Sequence, residues 1–297
     1  MSVVIPRQLT YALAEVSDNY RPAKFRQVLQ TRSDIPEWAD NVEIRKVVEY
    51  AEIEPITDMT SGNLPQPSLS RSTSNTPMIE MGAAYRYTDR EIKKAARLQM
   101  RLDVSRARAN NRKAEQLLDQ IAASGDPFGL GLGGLGNNSD VPTVTALTKA
   151  AGGTTWALAT ADEVLEDMHE LAWAPHENTN ETHKADTMIL PVAQFKIATR
   201  LRVGDGSDTV LSVFREQNPD IQRILIWNRF SVLGAGVTPR ACAFDSQSEE
   251  VARMLISRDF TAQAPRRVSL GWEVDQTMIT GGVLIQDAKG IAYMDAL

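Results

Sequence analysis

A single cysteine, Cys242, is all the thiol that this 297-residue chain offers. An intramolecular disulfide is therefore impossible, and no cysteine-based zinc site can be assembled from one chain. Long apolar runs are missing as well: no stretch of 18 or more apolar residues occurs, and the start, Met1 to Arg7, lacks the apolar centre of a secretory signal. These absences predict a protein made and used in a cytoplasm, with no membrane partner. Histidine is scarce. His169, His176 and His183 recur seven apart with Glu177 and Glu181 among them, but the four-residue spacing of H-E-x-x-H is absent, and Pro175 is expected to break the segment. Surface or core histidines are the expectation, with no metal and no cofactor. No serine sits in G-x-S-x-G, and Cys242 in Arg240 to Phe244 carries no nucleophile signature, so a buried structural thiol is expected there and no catalytic residue is assigned.

What is present is a chain of ordinary globular composition. Apolar residues make up 42% and charged residues 24%, so general disorder is excluded and one large domain or two ordinary ones can build real cores. The net charge of -6 argues against a dedicated nucleic-acid binder, whose affinity would rest on a net basic surface.

Along the chain, Leu9 to Trp38 is interrupted by Pro22 and Pro36 and reads as an arm with one short helix around Ala23 to Gln30. Val42 to Ile53 and Met78 to Tyr87 read as two strands, the second placing Ile79, Met81, Ala83, Tyr85 and Tyr87 on one face. Between them, Pro55 to Asn75 is rich in Ser, Thr, Pro and Gly. At about 20 residues it far exceeds an ordinary hairpin loop, so a long hairpin with a mobile tip is expected to project from the body.

Asp89 to Ala123 contains no proline or glycine, opens with the capping box Thr88 to Glu91, and stops at Gly125 with Pro127 beyond. One helix of roughly 50 Å is predicted. Its apolar stripe comprises Ile92, Ala95, Ala96, Met100, Ala107, Ala114, Leu117, Leu118 and Ile121, with the ends expected to pack better than the centre. Opposite it, with successive residues 100° apart, Arg90, Lys94, Arg97, Arg101, Arg108 and Arg112 fall within a narrow basic arc.

Farther on, Thr154 to Pro265 reads as a compact α/β unit. Helices are predicted at about Ala161 to Ala172, Val192 to Leu201 and Asp208 to Gln217, and strands at Thr187 to Leu190 and Ile221 to Trp227. Arg267 to Val274 and Met278 to Gln286 return to strand character, with Gly281-Gly282 as a bend or bulge. Gly131 to Gly136 matches G-x-G-x-x-G letter for letter, yet it follows a helix and runs into Asn137 to Pro142, so a structural turn is expected and not a phosphate loop.

Taken in order, these features resemble tailed-phage major capsid proteins of the Hong Kong 97 fold, in the branch related to encapsulin-like shells. The local residues that carry the resemblance are Gly129-Leu130-Gly131-Leu132, Thr187 to Pro191, Asn218-Pro219 before Ile221, Gly281-Gly282-Val283, and Ala292 to Asp295. The resemblance implies an α+β fold with an N-terminal arm (1–41), a two-stranded E-loop (42–87), a P-domain with spine helix (88–153), a central α/β A-domain (154–265) and returning C-terminal strands (266–297). It implies a structural subunit, not an enzyme, that self-assembles as hexamers and pentamers into an icosahedral shell around double-stranded DNA, in the virion after assembly in the host cytoplasm. Scaffold, portal and decoration proteins are further implied partners. The E-loop tip, Pro55, Asp58, Ser61, Gly62, Pro65, Pro67 and Arg71, would make assembly contacts, and the basic arc either faces packaged DNA or is a solvated face. One departure stands out. The namesake phage crosslinks its shell through a lysine on the long loop, whereas no lysine occurs here from Val47 to Ile92, so a non-covalent shell is expected at that site. An encapsulin-type nanocompartment shell and a cytoplasmic α/β enzyme are the alternative readings, the latter requiring a concave site with perturbed ionisable groups.

Overall fold

The computed structural model of the chain describes residues 23–50, 68–98, 102–204 and 206–297. The first described elements are a single helical turn, α1 (Phe25–Val28), and a short strand, β1 (Gln30–Arg32). Phe25 and Val28 are buried, so this segment is pinned to the body by two apolar side chains.

A ribbon follows, and it differs from the sequence expectation. Strand β2 (Asn41–Tyr50) pairs antiparallel not with the segment from Met78 but with β3 (Ser68–Pro77), in register from Asn41 opposite Pro77 to Tyr50 opposite Ser68. The Ser/Thr-rich stretch taken for a loop is thus a strand through its second half. The physical reason is exposure: Arg71, Thr73, Ser74 and Asn75 of β3 face solvent, and a strand of polar residues held by its neighbour's backbone shows no apolar alternation. Its base is anchored, where Val42 and Ile44 pack against Met78, Leu255 and Ile279.

Strand β4 (Ile79–Thr88) continues directly from the ribbon and then runs into α2 (Asp89–Leu98). The capping box forms as the sequence predicts: Glu91 N–H donates to Thr88 Oγ1 at 3.3 Å and Thr88 N–H donates back to Glu91 Oε2 at 3.1 Å. Helix α3 (Leu102–Ser124) ends at Gly125, whose φ of 78° and N–H bond to the Ile121 carbonyl terminate it as expected. The two helices do not share one axis. Glu91 and Arg106 form an ion pair at 3.0 Å, whereas a straight helix would place residues 15 apart about 22 Å from each other. The apolar stripe is correspondingly split. Ala114, Leu118 and Ile121 are buried, but Ile92 is 41% exposed and Ala96 is exposed, so the expectation that both ends pack holds only for the C-terminal one.

The glycine-rich turn after α3 is structural. A Cβ on Gly134 would lie 2.1 Å from the Gly125 nitrogen, so only glycine lets the two backbone segments cross. The chain then enters the central domain through β5 (Thr143–Val144), α4 (Ala161–Asn178), β6 (Thr187–Leu190), α5 (Val192–Arg200), α6 (Val210–Gln217), β7 (Arg223–Ile226) and β8 (Arg240–Phe244). Pro175 does not break the segment: it lies inside α4, which continues to Asn178. The chain finishes with β9 (Arg253–Ala262), β10 (Arg266–Val268), β11 (Gly271–Leu284) and β12 (Ile291–Asp295). The expected pair of tail strands is one 14-residue strand, β11, preceded by the tight turn at Ser269-Leu270.

Two five-stranded sheets organise the core. In one, β11 pairs on one side with β4 over ten residues, Ile79 opposite Thr280 to Thr88 opposite Gly271, and on the other with β9 and β10, while β1 adds to β9. Its ladder with β9 slips between Thr280 and Gly282, the bulge expected at the glycine pair. The other sheet runs β5-β12-β8-β6-β7. One core gathers Phe25, Leu118, Ile121, Trp227, Phe230 and Tyr293 between α3 and the sheets, and a second gathers Trp156, Met168, Leu171 and Phe214 under α4, α5 and α6.

Candidate assembly surfaces

The structure places the sequence-predicted residues in three groups. Arg71 lies exposed on β3 opposite Val47, while Pro55, Asp58, Ser61, Gly62, Pro65 and Pro67 lie outside the described residues. On α2, Arg90, Lys94 and Arg97 are exposed, joined by Lys93, which the arc omitted. On α3, Arg108 is exposed and Arg112 half-buried, and Arg101 lies outside the described residues. Because α2 and α3 diverge, the basic arc drawn on a straight helix is two separate faces.

Arg106, unremarked in the sequence, is what fixes that divergence. Its guanidinium pairs with Glu91, donates to the Arg86 carbonyl, and lies 4.8 Å from the centre of the Tyr87 ring. The backbone N–H of Thr88, with Arg106 beside it, holds the Glu91 carboxyl below the usual glutamate range. At this same end of β4, Arg86 and Arg266 both pair with Glu273, at 2.8 and 3.1 Å, and the Arg86 hydrogen bond depresses that carboxyl in turn.

Large apolar side chains stand in solvent around the subunit. Trp38 is 84% exposed, Leu270 79% and Phe128 63%. Phe128 is held outward by design of the turn: the Asp126 carboxylate accepts the N–H groups of Phe128 and Leu130. Single exposed apolar residues are ordinary, but aromatic ones fixed in place mark contact surfaces. Composition alone does not find them, because exposure is a property of the fold.

Two of the histidines and the cysteine are tied into the body by hydrogen bonds, ion pairs or burial. His169 bonds Gln217 and Asn218, and His183 sits between Asp245 and Asp287 at 3.4 and 3.6 Å. Among the described residues no group of His, Cys, Asp and Glu could hold a metal ion. Cys242 is fully buried on β8, and burial pushes its thiol pKa far up. Lys149 and Asp167 form an ion pair with both side chains fully enclosed, and the carboxylate also accepts from Trp156 Nε1 at 2.7 Å and Leu147 N–H at 3.0 Å.

The chain is similar to the capsid of Myoviridae phage XM1, with a TM-score of 0.83 at 16% identity over 100% of this chain and 99% of that chain. It is also similar to Mycobacterium phage Adephagia, with a TM-score of 0.64 at 11% identity over 97% and 95% of the two chains. A virus-like particle from Pyrococcus furiosus matches with a TM-score of 0.55 at 11% identity over 91% of each chain. These likenesses define the class: the α+β fold is the Hong Kong 97-like fold of capsid subunits. Among curated proteins no relative matches the sequence. The family model described as major capsid protein matches residues 56–297, and the chain belongs to that family. It is a structural protein of the virion capsid, and copies of it assemble into a shell.

Proposed function

We propose that this shell encloses a double-stranded DNA genome, is assembled in the host cytoplasm from hexamers and pentamers, and meets scaffold, portal and decoration proteins there. In this reading 1–41 is the arm, 42–87 the E-loop, 88–153 the P-domain, 154–265 the A-domain and 266–297 the returning strands. The observation that carries it is the β2–β3 ribbon. It is ten pairs long, with Asn41, Glu43, Arg45, Arg71, Thr73, Ser74 and Asn75 exposed, and an isolated two-stranded ribbon is marginal in water without a surface to lie on. A neighbouring copy supplies that surface, with Arg71 and the tip residues Pro55, Asp58, Ser61, Gly62, Pro65 and Pro67 making the contact.

Deleting residues 59–72 is the direct test. The subunit should stay soluble and folded while stable shells fail to form, and normal particles by electron microscopy would refute the role of the ribbon. The basic faces, Arg90, Lys94 and Arg97 on one helix and Arg108 and Arg112 on the next, with Arg101 between, would lie toward the packaged DNA, where phosphate neutralisation needs no sequence readout. Replacing Arg97, Arg101 and Arg108 by glutamine should lower genome retention, and unchanged packaging would exclude that orientation.

A further inference from the structure

Strand β7, Arg-Ile-Leu-Ile, ends its sheet and pairs on one side only, with β6. Arg223 N–H donates to the Asp186 carbonyl and Trp227 N–H to the Leu190 carbonyl, each at 3.1 Å. Alternate residues of a parallel ladder face opposite ways, so Ile224 and Ile226 turn their N–H and C=O groups to the open side, where no strand among the described residues pairs with them. Sheet edges are commonly blunted by a lysine, a proline or a bulge. Here none of the three occurs: the register with β6 is unbroken, the residues favour strands, and Ile226 is 37% exposed. Both ends of the strand also line cavities. Arg223 lines one of about 510 Å³ with Arg26, Gln30 and Ser246, and Ile226 lines one of about 280 Å³ with Lys24, Val192 and Arg229. An open edge with a cavity at each end is suited to an extended chain, because backbone bonds supply the affinity and the cavities select side chains.

We infer that β7 receives an extended segment of a second copy of this chain, which adds to the sheet as a further strand. Copies of the chain assemble into a shell, so a second copy is the partner that its own assembly brings alongside. Charge points the same way: the linings of the two cavities hold four cations, Lys24, Arg26, Arg223 and Arg229, and one acid, Asp119, whereas the chain as a whole carries a net charge of -6. Arg26, Arg223 and Arg229 already meet acids of their own subunit, at 2.9, 3.9 and 2.5 Å. Lys24 has no ion pair among the described residues, so the incoming segment carries its acid at the Ile226 end, where Lys24 lines the cavity. The inference needs only that copies assemble, and it does not rest on the DNA or ribbon assignments.

Hydrogen exchange on the full chain tests it. The Ile224 and Ile226 amides should exchange about tenfold or more slowly in shells built from this chain alone than in unassembled subunits. Equal protection in the free subunit would mean that the chain covers its own edge, equal exposure in the shell that nothing covers it, and slowing only in particles holding another protein that the edge belongs to that protein; each result overturns the inference. A pair of variants separates backbone from side chain. Ile226→Pro removes one outward N–H and no bond to β6, and Leu225 before it is already extended, so the subunit should fold while the yield of shells falls about tenfold. Ile226→Thr keeps the N–H and the strand preference, and should assemble near normally. Normal shells from the proline variant, or a threonine variant as defective as the proline one, would count against strand addition, and the exchange measurement decides the case if the proline variant does not fold.

Discussion

Arg240 grips Asp295 through two hydrogen bonds, 2.6 Å from Nε to Oδ1 and 2.7 Å from Nη2 to Oδ2, with its guanidinium 4.3 Å from the centre of the Tyr293 ring. The pair closes the β8–β12 ladder at its last register position, and the same arginine donates to the Gly136 carbonyl at 2.7 Å, so it ties the glycine-rich turn to the end of the chain. Arg240→Met should cost about 3 kcal/mol or more, because Asp295 is left largely enclosed without its counter-charge. Chemical denaturation of the subunit measures this, and a loss under about 1 kcal/mol would show the pair to be incidental.

The enclosed Lys149–Asp167 pair makes a sharper case, since neither side chain touches water. Lys149→Met alone should destabilise by about 3–5 kcal/mol, whereas Lys149→Met with Asp167→Leu should recover much of that loss. A double variant no better than the single one would mean that the Trp156 and Leu147 bonds to Asp167, and not the lysine, carry the stability.

Glu273 should contribute to the acid sensitivity of the subunit. Its carboxyl is depressed by the Arg86 hydrogen bond, with Arg266 adding to the effect. A depressed carboxylate adds stability that is complete above the ordinary glutamate range, near pH 4.3, and that disappears as pH falls below it. Glu273→Gln should therefore lower the melting temperature at pH 6 but flatten its fall between about pH 5 and 3. Parallel melting curves for the two proteins would assign the acid response elsewhere.

Cys242 should ignore thiol reagents in the native subunit across neutral pH, because burial keeps the thiolate form inaccessible, and react stoichiometrically once denatured. Rapid native labelling would mean that β8 opens on the timescale of the reagent.

Elements whose cause is local were legible in the sequence. The Thr88–Glu91 box starts α2, Gly125 stops α3, and the apolar run at Thr187–Leu190 is a fully buried strand. Elements whose cause is remote were not. Strand β8, Arg-Ala-Cys-Ala-Phe, carries low strand propensity and is a strand because β6 and β12 flank it. Ser68–Pro77 pairs because β2 lies alongside, not because of any apolar face. The bend between α2 and α3 depends on Arg106 reaching back to Glu91 and Arg86, a contact that helical periodicity cannot express. Of the candidate surfaces, the charged residues could be nominated from composition, but Trp38 and Phe128 emerge only when the cores leave them outside.

The direct passage from β3 into β4 has a mechanical consequence. Strain applied to the ribbon by an adjacent copy runs lengthwise into the ten-pair β4–β11 ladder. A ladder loaded along its strands must yield many bonds together, whereas one peeled from its end yields them singly. In the proposed shell, tension from a neighbour gripping the ribbon would therefore load this ladder along its strands rather than peel it from one end.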